Sequence, residues 1–243
     1  NVQKKHSTDF DENEEIEISS SEFDTNLFKE SFKVSDNKNV VVSPLSVKMA
    51  LSMAAQGADG QTVEEMNRVI GLDETFNEYF RRLIEDVAKD NDVTINIANS
   101  VWLRQGLEFN SAYLDILNSY YMAQASTLDF NDLSSKDKIN NWVKEKTNGK
   151  IEEIVEEIKP QDIAFLINAV YFNANWSTPF EKEYTQQKDF TLLNNSKVKA
   201  QLMTRTASFQ YQENDQFQAV ELPYGENGRY VMRVYLPDES EKF

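Results

Sequence analysis

Apolar side chains recur at intervals of three and four residues in the early part of the chain, and this spacing predicts amphipathic helices. A first helix is predicted to run to about Lys33. A second is predicted to begin at Pro44, which fits the first helical position, with Ser43 as its N-cap residue. Gly57 is predicted to end it, because glycine readily adopts the left-handed conformation that follows a helix.

Helical spacing continues along the chain. Thr62 and Glu65 fit a capping box, in which each side chain bonds the other residue's backbone amide at the start of a helix. Further segments with this spacing are residues 75–89, 111–122, 139–149 and 151–158. The pattern pauses at Gly149 and resumes up to Pro160, so a helical segment is expected on each side of the glycine.

The most informative segment is residues 163–172, which read IAFLINAVYF and contain nine apolar residues out of ten. The absence of alternation, the length and the β-branched content predict a strand that is covered on both faces. Asn168 interrupts it, and a buried amide is costly unless it finds hydrogen-bond partners. Asn168 therefore marks either an exposed bend or a polar clamp between elements.

Strand patterns also occur before and after this segment. Val93, Ile95 and Ile97 alternate with polar residues, which is typical of a half-buried strand. Candidate strands elsewhere are Thr127–Phe130, Phe190–Leu193, Val198–Met203, Ser208–Glu213, Ala219–Pro223 and Tyr230–Leu236. The chain thus combines a helix-rich beginning with a strand-rich end, and no shift in composition marks a linker between them.

Composition narrows the possible functions. The 243 residues include 41 acidic and 25 basic side chains, for a net charge of −16, so binding to nucleic acid or to an anionic membrane is not expected. There is no cysteine and only one histidine, His6, which argues against a thiol nucleophile, a catalytic triad or a multi-histidine metal site. No apolar run reaches the length of about 18 residues that a membrane helix needs. Residues 1–18 are predicted to be an acidic N-terminal tail.

Three basic residues invite a second interpretation. Arg81, Arg82 and Lys89 lie among the polar positions of the predicted helix over residues 75–89. They are either an ordinary helix surface or part of a binding site for a sulfated polysaccharide such as heparin. Nearby acidic residues, including Glu78 and Glu85, weaken the second interpretation.

Five segments, in chain order, resemble motifs of the serpin family. They are NVVVSPLS at residues 39–46, TVEEM followed by IGL at 62–72, NNWV and TNGKI within 140–151, NAVYF with its continuation at 168–185, and VELPY at 220–224. The resemblance implies an α+β fold, with helices packed around a large central β-sheet and further β-sheets beside it. It also implies a serpin domain over residues 19–243.

The resemblance gives roles to individual residues. The serpin counterparts of Ser43, Ser46 and Asn168 form a hydrogen-bonded "shutter" beneath the central sheet, where two strands must part. The counterparts of Trp176 and Thr185 belong to the "breach" and "gate", near the place where a loop first enters the sheet.

Asn194 begins a glycosylation sequon that would be modified in a secreted protein. The packing expected around Trp176 argues against use of the other sequon, at residues 175–177.

The implied function is suicide inhibition of a serine protease rather than catalysis. The target protease cleaves a reactive loop and is trapped as an acyl-enzyme while the loop inserts into the central sheet. The expected partner is the protease, in a covalent complex, and no cofactor is required, although a glycosaminoglycan could accelerate inhibition. The alternative is a non-inhibitory serpin that carries a ligand, acts as a chaperone or serves in storage.

A typical serpin is longer than this chain. The later helices, strand 5A, the hinge, the reactive loop and the C-terminal strands have no counterpart in the 243 residues, so the reactive bond is unknown. The missing C-terminal segment is therefore an expected partner. When complete, the protein is expected to be monomeric and secreted into the extracellular space.

Overall fold

The computed structural model describes residues 22–36, 38–71, 75–192 and 194–238, so the predicted acidic tail lies outside the described residues. Its α-helices are α1 (Glu22–Lys33), α2 (Pro44–Ala55), α3 (Gln61–Ile70), α4 (Phe76–Val87), α5 (Ser111–Tyr121) and α6 (Ser134–Lys146). Its strands are β1 (Thr94–Arg104), β2 (Gln124–Leu128), β3 (Ala164–Asn173), β4 (Gln186–Thr191), β5 (Lys197–Leu202), β6 (Tyr211–Glu213), β7 (Phe217–Tyr224) and β8 (Tyr230–Pro237). A short 3₁₀ helix spans Lys182–Tyr184.

The start of α2 confirms the predicted cap, whereas the start of α3 does not. Ser43 precedes α2, and its hydroxyl accepts the backbone N–H of Ser46 at 3.3 Å. Helix α3 begins one residue before Thr62, and its N-cap residue is Gly60, which makes no side-chain cap. The predicted capping box is therefore wrong. Gly60 has a φ of +56°, and a glycine tolerates that conformation at a helix start better than a residue with a Cβ atom.

Residues 151–158 are irregular rather than helical, although their apolar spacing predicted a continued helical pattern. The side chain of Asn140, on α6, accepts the backbone N–H groups of Ile154 and Val155, each at 3.0 Å. Its Nδ2 donates to the carbonyl of Val155 at 2.9 Å. An amide side chain thus replaces the helical hydrogen bonds, while Val155 is still buried in the core. The apolar spacing of residues 151–158 therefore reflects the burial of Val155 in the core and not a helical conformation.

The described strands form three sheets, in the orders β2-β1-β3, β4-β5 and β6-β7-β8. Strands β1 and β2 are parallel, with Ser100 opposite Gln124. The N–H of Arg104 donates to the carbonyl of Ile163 at 3.0 Å, so the end of β1 lies beside the beginning of β3. The β4-β5 and β6-β7-β8 pairings are antiparallel. Strand β3 is an outer strand of its sheet within the described residues.

The described residues group into two compact units. The first contains the residues up to Lys89 and Ile95–Tyr171, and the second contains Asp90–Thr94 and the residues from Phe172 onward. In the first unit, Leu166 of β3 packs against one apolar cluster, and Ile167 belongs to another. Strand β3 therefore separates two cores, which confirms the prediction of a strand covered on both faces.

Among the described helices, none combines the length and the apolar composition of a membrane span.

Candidate functional site

Three polar side chains in the first unit form a chain of hydrogen bonds that links α2, β3 and β1. The Ser46 hydroxyl donates to Oδ1 of Asn168, and Nδ2 of Asn168 donates to Oδ1 of Asn99 at 2.8 Å. Nδ2 of Asn99 then donates to the backbone carbonyl of Tyr121 at 2.7 Å. This chain from Ser46 through Asn168 and Asn99 is termed the polar relay.

The relay gives hydrogen-bond partners to amide groups that are buried among apolar side chains. Asn99 is only 3% exposed, and Nδ2 of Asn168 lies 3.4 Å from Sδ of the fully buried Met49. Amides in such surroundings destabilise a fold unless both their oxygen and their nitrogen have partners. The relay supplies them, and Asn168 lies within β3 rather than at an exposed bend. Of the two interpretations of Asn168, the geometry is that of a clamp between elements.

Two residues of this region differ from expectation. Ser43, predicted together with Ser46 and Asn168, is exposed, and its described bond is the cap to the N–H of Ser46. Asn99 was missed by the sequence analysis, although it contributes the most buried side chain of the relay. A different signal could have found it, because Asn99 falls on the same alternate positions of β1 as the apolar residues Ile95 and Ile97.

A groove of about 670 Å³ adjoins the relay in the first unit. It is lined by α2, by residues 154–159 and by β3, and Ser46 and Asn168 both reach its wall. Within the described residues, β3 pairs with β1 alone, so its other edge faces no strand. An outer strand beside a groove can accept a further strand, because its backbone N–H and C=O groups can form a new ladder.

Trp176 and Thr185 belong to the second unit, and the relay belongs to the first. The Trp176 ring stacks on Tyr224, with centroids 4.3 Å apart, and meets Phe180 edge to face at 6.0 Å. The backbone supports this stack, since Ser177 N–H donates to the carbonyl of Pro223 at 2.9 Å. Thr185 is half-buried at the end of the 3₁₀ helix. Their roles at the breach and the gate stay predictions from the serpin resemblance.

The three basic residues of α4 and the loop after it are not equivalent. The Arg81 guanidinium donates from Nε to Glu78 at 3.0 Å and from Nη1 to Glu85 at 2.7 Å. The hydrogen bond from Arg81 holds the pKa of the Glu78 carboxyl below its usual value. Arg82 is half-buried and Lys89 is exposed. Because Arg81 is already paired with two carboxylates, it attracts a polyanion less than a free arginine would.

Asn194 lies in the exposed turn between β4 and β5. The Ser196 hydroxyl donates to Oδ1 of Asn194 at 2.6 Å, so the first and third residues of the sequon are in contact. In the other sequon, Trp176 is half-buried in the aromatic stack, and the carbonyl of Asn175 accepts the N–H of Gly225 at 2.8 Å. Both asparagines are exposed, so the two sequons differ in the aromatic and backbone contacts that hold residues 175–177.

Comparison with known proteins gives a consistent result. The family model described as "Serpin (serine protease inhibitor)" matches residues 19–243. An uncharacterized serpin-like protein of Thermococcus kodakarensis is 37% identical, over 90% of this chain and 52% of its own. The solved structure of tengpin, a thermophilic serpin, in its native state has a TM-score of 0.82 and 34% identity, covering 90% of this chain and 57% of that one.

The match extends to another state and to a more distant relative. Latent tengpin also has a TM-score of 0.82, with 35% identity, covering 90% of this chain and 60% of that one. Emu (Dromaius novaehollandiae) ovalbumin has a TM-score of 0.84 with 26% identity, covering 90% of this chain and 62% of that one. The chain spans about half the length of the curated relatives it matches, at 52% and 56% for two of them.

Proposed function

Because the chain belongs to the serpin family, we propose that the complete protein that contains it inhibits a serine protease as a suicide substrate. The target enzyme supplies the catalytic serine, and the inhibitor supplies a loop that is cleaved and inserted into the central sheet. Such an inhibitor needs no catalytic groups of its own, which agrees with a chain that has one histidine and no cysteine.

The observation that carries this proposal is the polar relay beside the outer edge of β3. Loop insertion requires a strand edge that accepts a new neighbour and a contact beneath it that opens and closes again. The relay joins three separate elements through side chains alone at Ser46, Asn168 and Asn99. Such bonds can be broken and re-formed without rebuilding a helix or a strand, which supports a shutter role for this cluster.

The test is a complex that survives denaturation. The complete protein is mixed with trypsin-like, chymotrypsin-like and elastase-like proteases and analysed on a denaturing gel. We expect one class to give a band at the summed mass of the two proteins that persists after boiling in SDS. A protease whose active-site serine is blocked serves as the control and should give no such band. Cleavage without a complex across the whole panel would contradict the proposal.

The second candidate function is that of a non-inhibitory serpin. The similarity to emu ovalbumin supports this candidate, because ovalbumin is a serpin without inhibitory activity. In that case a protease would cut the loop and dissociate, leaving a cleaved product and an active enzyme. Ligand screening by thermal shift would then identify what the protein carries, because a ligand that binds the folded state raises its melting temperature.

We further propose a monomeric, secreted protein that acts in an extracellular proteolytic cascade and is glycosylated at Asn194. Secretion from eukaryotic cells should give a protein whose mass falls after treatment with an N-glycosidase. The Asn194→Gln variant should lack this shift, whereas Asn175→Gln should keep it. A secreted wild-type protein without any glycan would contradict the modification at Asn194.

Heparin acceleration through Arg81, Arg82 and Lys89 is a finer proposal. Replacing Arg81 and Arg82 together by alanine should lower the salt concentration at which the protein elutes from a heparin column. The pairing of Arg81 with two carboxylates limits the expected effect, so Lys89→Ala should weaken retention at least as much as Arg81→Ala. Retention that is unchanged in all three variants would contradict a heparin site on this surface.

A further inference from the structure

Arg205, in the segment between β5 and β6, holds its guanidinium between two aromatic rings of the second unit. The guanidinium carbon lies 4.6 Å from the ring centre of Phe180 and 4.8 Å from that of Phe209. Phe180 in turn meets Trp176 edge to face at 6.0 Å, so the arginine extends the aromatic stack around Trp176. Both rings contact the guanidinium, and its Nε and Nη1 atoms are buried.

This arrangement leaves two nitrogens of the Arg205 guanidinium group without an acceptor among the described residues. Nε and Nη1 are both buried, and neither has a hydrogen-bond partner in the part of the chain that the structure describes. A phenyl face attracts the positive charge but does not replace an oxygen acceptor for N–H groups that lie in the guanidinium plane. Buried donors without acceptors destabilise a fold, so each such group in a native protein requires an explanation.

The missing acceptor is best matched by a carboxylate. A planar guanidinium and a carboxylate fit each other through charge-assisted hydrogen bonds, and this pairing is strongest where water is excluded. The net charge of −16 makes a nucleic acid or another extended polyanion a poor alternative. Arg205 is only partly buried as a whole residue, so an acceptor can still reach it.

We propose that Arg205 receives the carboxylate of an aspartate or glutamate from the part of the serpin domain that this chain does not span. The relatives it matches are nearly twice as long, and no carboxylate of the described residues bonds to Arg205. The pair fastens the absent part of the domain to the stack around Trp176. The proposal does not depend on whether the protein is an inhibitor.

The test is a search for the partner by double-mutant cycles in the complete protein. Arg205→Gln should raise the equilibrium constant for unfolding about tenfold, because it removes a charged donor from a buried acceptor. Each acidic residue beyond residue 243 is then changed to its amide in the wild-type and Arg205→Gln backgrounds, and urea midpoints are compared. Replacing one particular acidic residue should lower the urea midpoint of the wild type but not that of the Arg205→Gln variant. Replacing any other acidic residue should lower the midpoint equally in both backgrounds.

The matched control is Arg233, which donates from Nε to Glu221 at 2.6 Å but is exposed. Arg233→Gln should change the unfolding constant by less than about fivefold, because exposed ion pairs contribute little. If Arg205→Gln prevents folding, Arg205→Lys replaces it in the cycles, since lysine keeps the charge and loses the planar donor pattern.

Three results would overturn the proposal. If the stability change of every acid beyond residue 243 is additive with that of Arg205→Gln, Arg205 has no carboxylate partner there and only packs against the two aromatic rings. Loss of the Arg205→Gln effect after deletion of residues 1–18 would assign the carboxylate to the acidic tail. A midpoint that rises with added acetate in the wild type alone would indicate a free small carboxylate. A crystal structure of the complete protein should show a side-chain carboxylate oxygen about 3 Å from a guanidinium nitrogen of Arg205.

Discussion

Two asparagines in the first unit are held inside the protein in opposite ways. Asn140 makes three hydrogen bonds, all to backbone groups of Ile154 and Val155 in one short segment. Asn168 bonds to the side chains of Ser46 and Asn99, which belong to two other elements. The first amide fixes the course of a single irregular segment. The second joins three elements at one point.

The difference concerns what can replace each bond. The backbone groups held by Asn140 are part of a loop that has no helix or strand to satisfy them, so their only described partner is this side chain. The hydroxyl and amides of the relay can rotate and bond to other side chains or to water. We infer that Asn140 belongs to the permanent framework and that the relay belongs to a joint that opens.

The largest expected effect is that of Asn140→Ala. The substitution removes an amide that is 7% exposed and leaves two backbone N–H groups and one carbonyl without their partner. The free energy of unfolding should fall by about 3 kcal/mol. Urea unfolding of the complete protein measures this loss. Asn118→Ala, at an exposed position of α5, is the control and should be nearly neutral. A loss no larger than in the control would show that solvent satisfies these backbone groups.

Asn168→Ala should have a smaller effect on stability and a larger effect on polymer formation. It removes the middle of the relay, and we expect a loss of about 2 kcal/mol, because Ser46 and Asn99 lose a partner in a partly buried site. In the complete protein the loosened joint should promote loop–sheet polymers on warming, which native gels detect.

The decisive comparison is between these two variants. Asn140→Ala should be the less stable of the two and yet form fewer polymers at a temperature equally far below its own melting point. An Asn168→Ala variant with unchanged melting and no polymers would contradict the assignment of the relay as a joint. Equal polymer formation by both variants would mean that polymers follow general destabilisation instead.

The same two residues show how far the sequence could lead. Asn168 was found because it interrupts an apolar strand, and a polar group in such a pattern needs a partner. The pattern could not name that partner, since Asn99 is 69 residues away and is brought close only by the pairing of β1 with β3. Asn140 gave no such signal, because an amide is ordinary on a helix. The helical prediction for residues 151–158 is wrong because the Asn140 side chain bonds to the backbone of Ile154 and Val155 in that segment.

The family resemblance added what local patterns could not. It named the α+β fold, and the family match and the solved structures confirm it. The start of α3 remained a local error, because the glycine at position 60 provides a helix start that competes with the capping box. Arg205 escaped notice because a single arginine in a loop carries no sequence signal. Its importance depends on Phe180 and Phe209, which meet it only in the folded chain.

The coupling between Ser46 and Asn168 should be smaller again. In a double-mutant cycle with Ser46→Ala and Asn168→Ala, the interaction energy should be about 1 kcal/mol, since one side-chain hydrogen bond is shared. Ser43→Ala with Asn168→Ala is the matched cycle. Ser43 caps α2 and its described bond is to a backbone amide, so this second cycle should be additive. Coupling of Ser43 as strong as that of Ser46 would bring Ser43 into the relay, as the serpin resemblance predicted.

The smallest expected effect is at the far end of the relay, where the backbone carbonyl of Tyr121 accepts the last hydrogen bond. The Tyr121 ring is fully buried, and its hydroxyl donates to Oδ1 of Asn77 at 2.7 Å, while burial raises the pKa of the phenol above its usual value. Tyr121→Phe keeps both the carbonyl and the ring contact with Phe80, so the relay should stay intact. Unfolding measurements should show a loss of about 0.5 kcal/mol with no change in polymer formation. If Tyr121→Phe forms polymers as readily as Asn168→Ala, the opening joint extends beyond the three side chains of the relay into the core between α4 and α5.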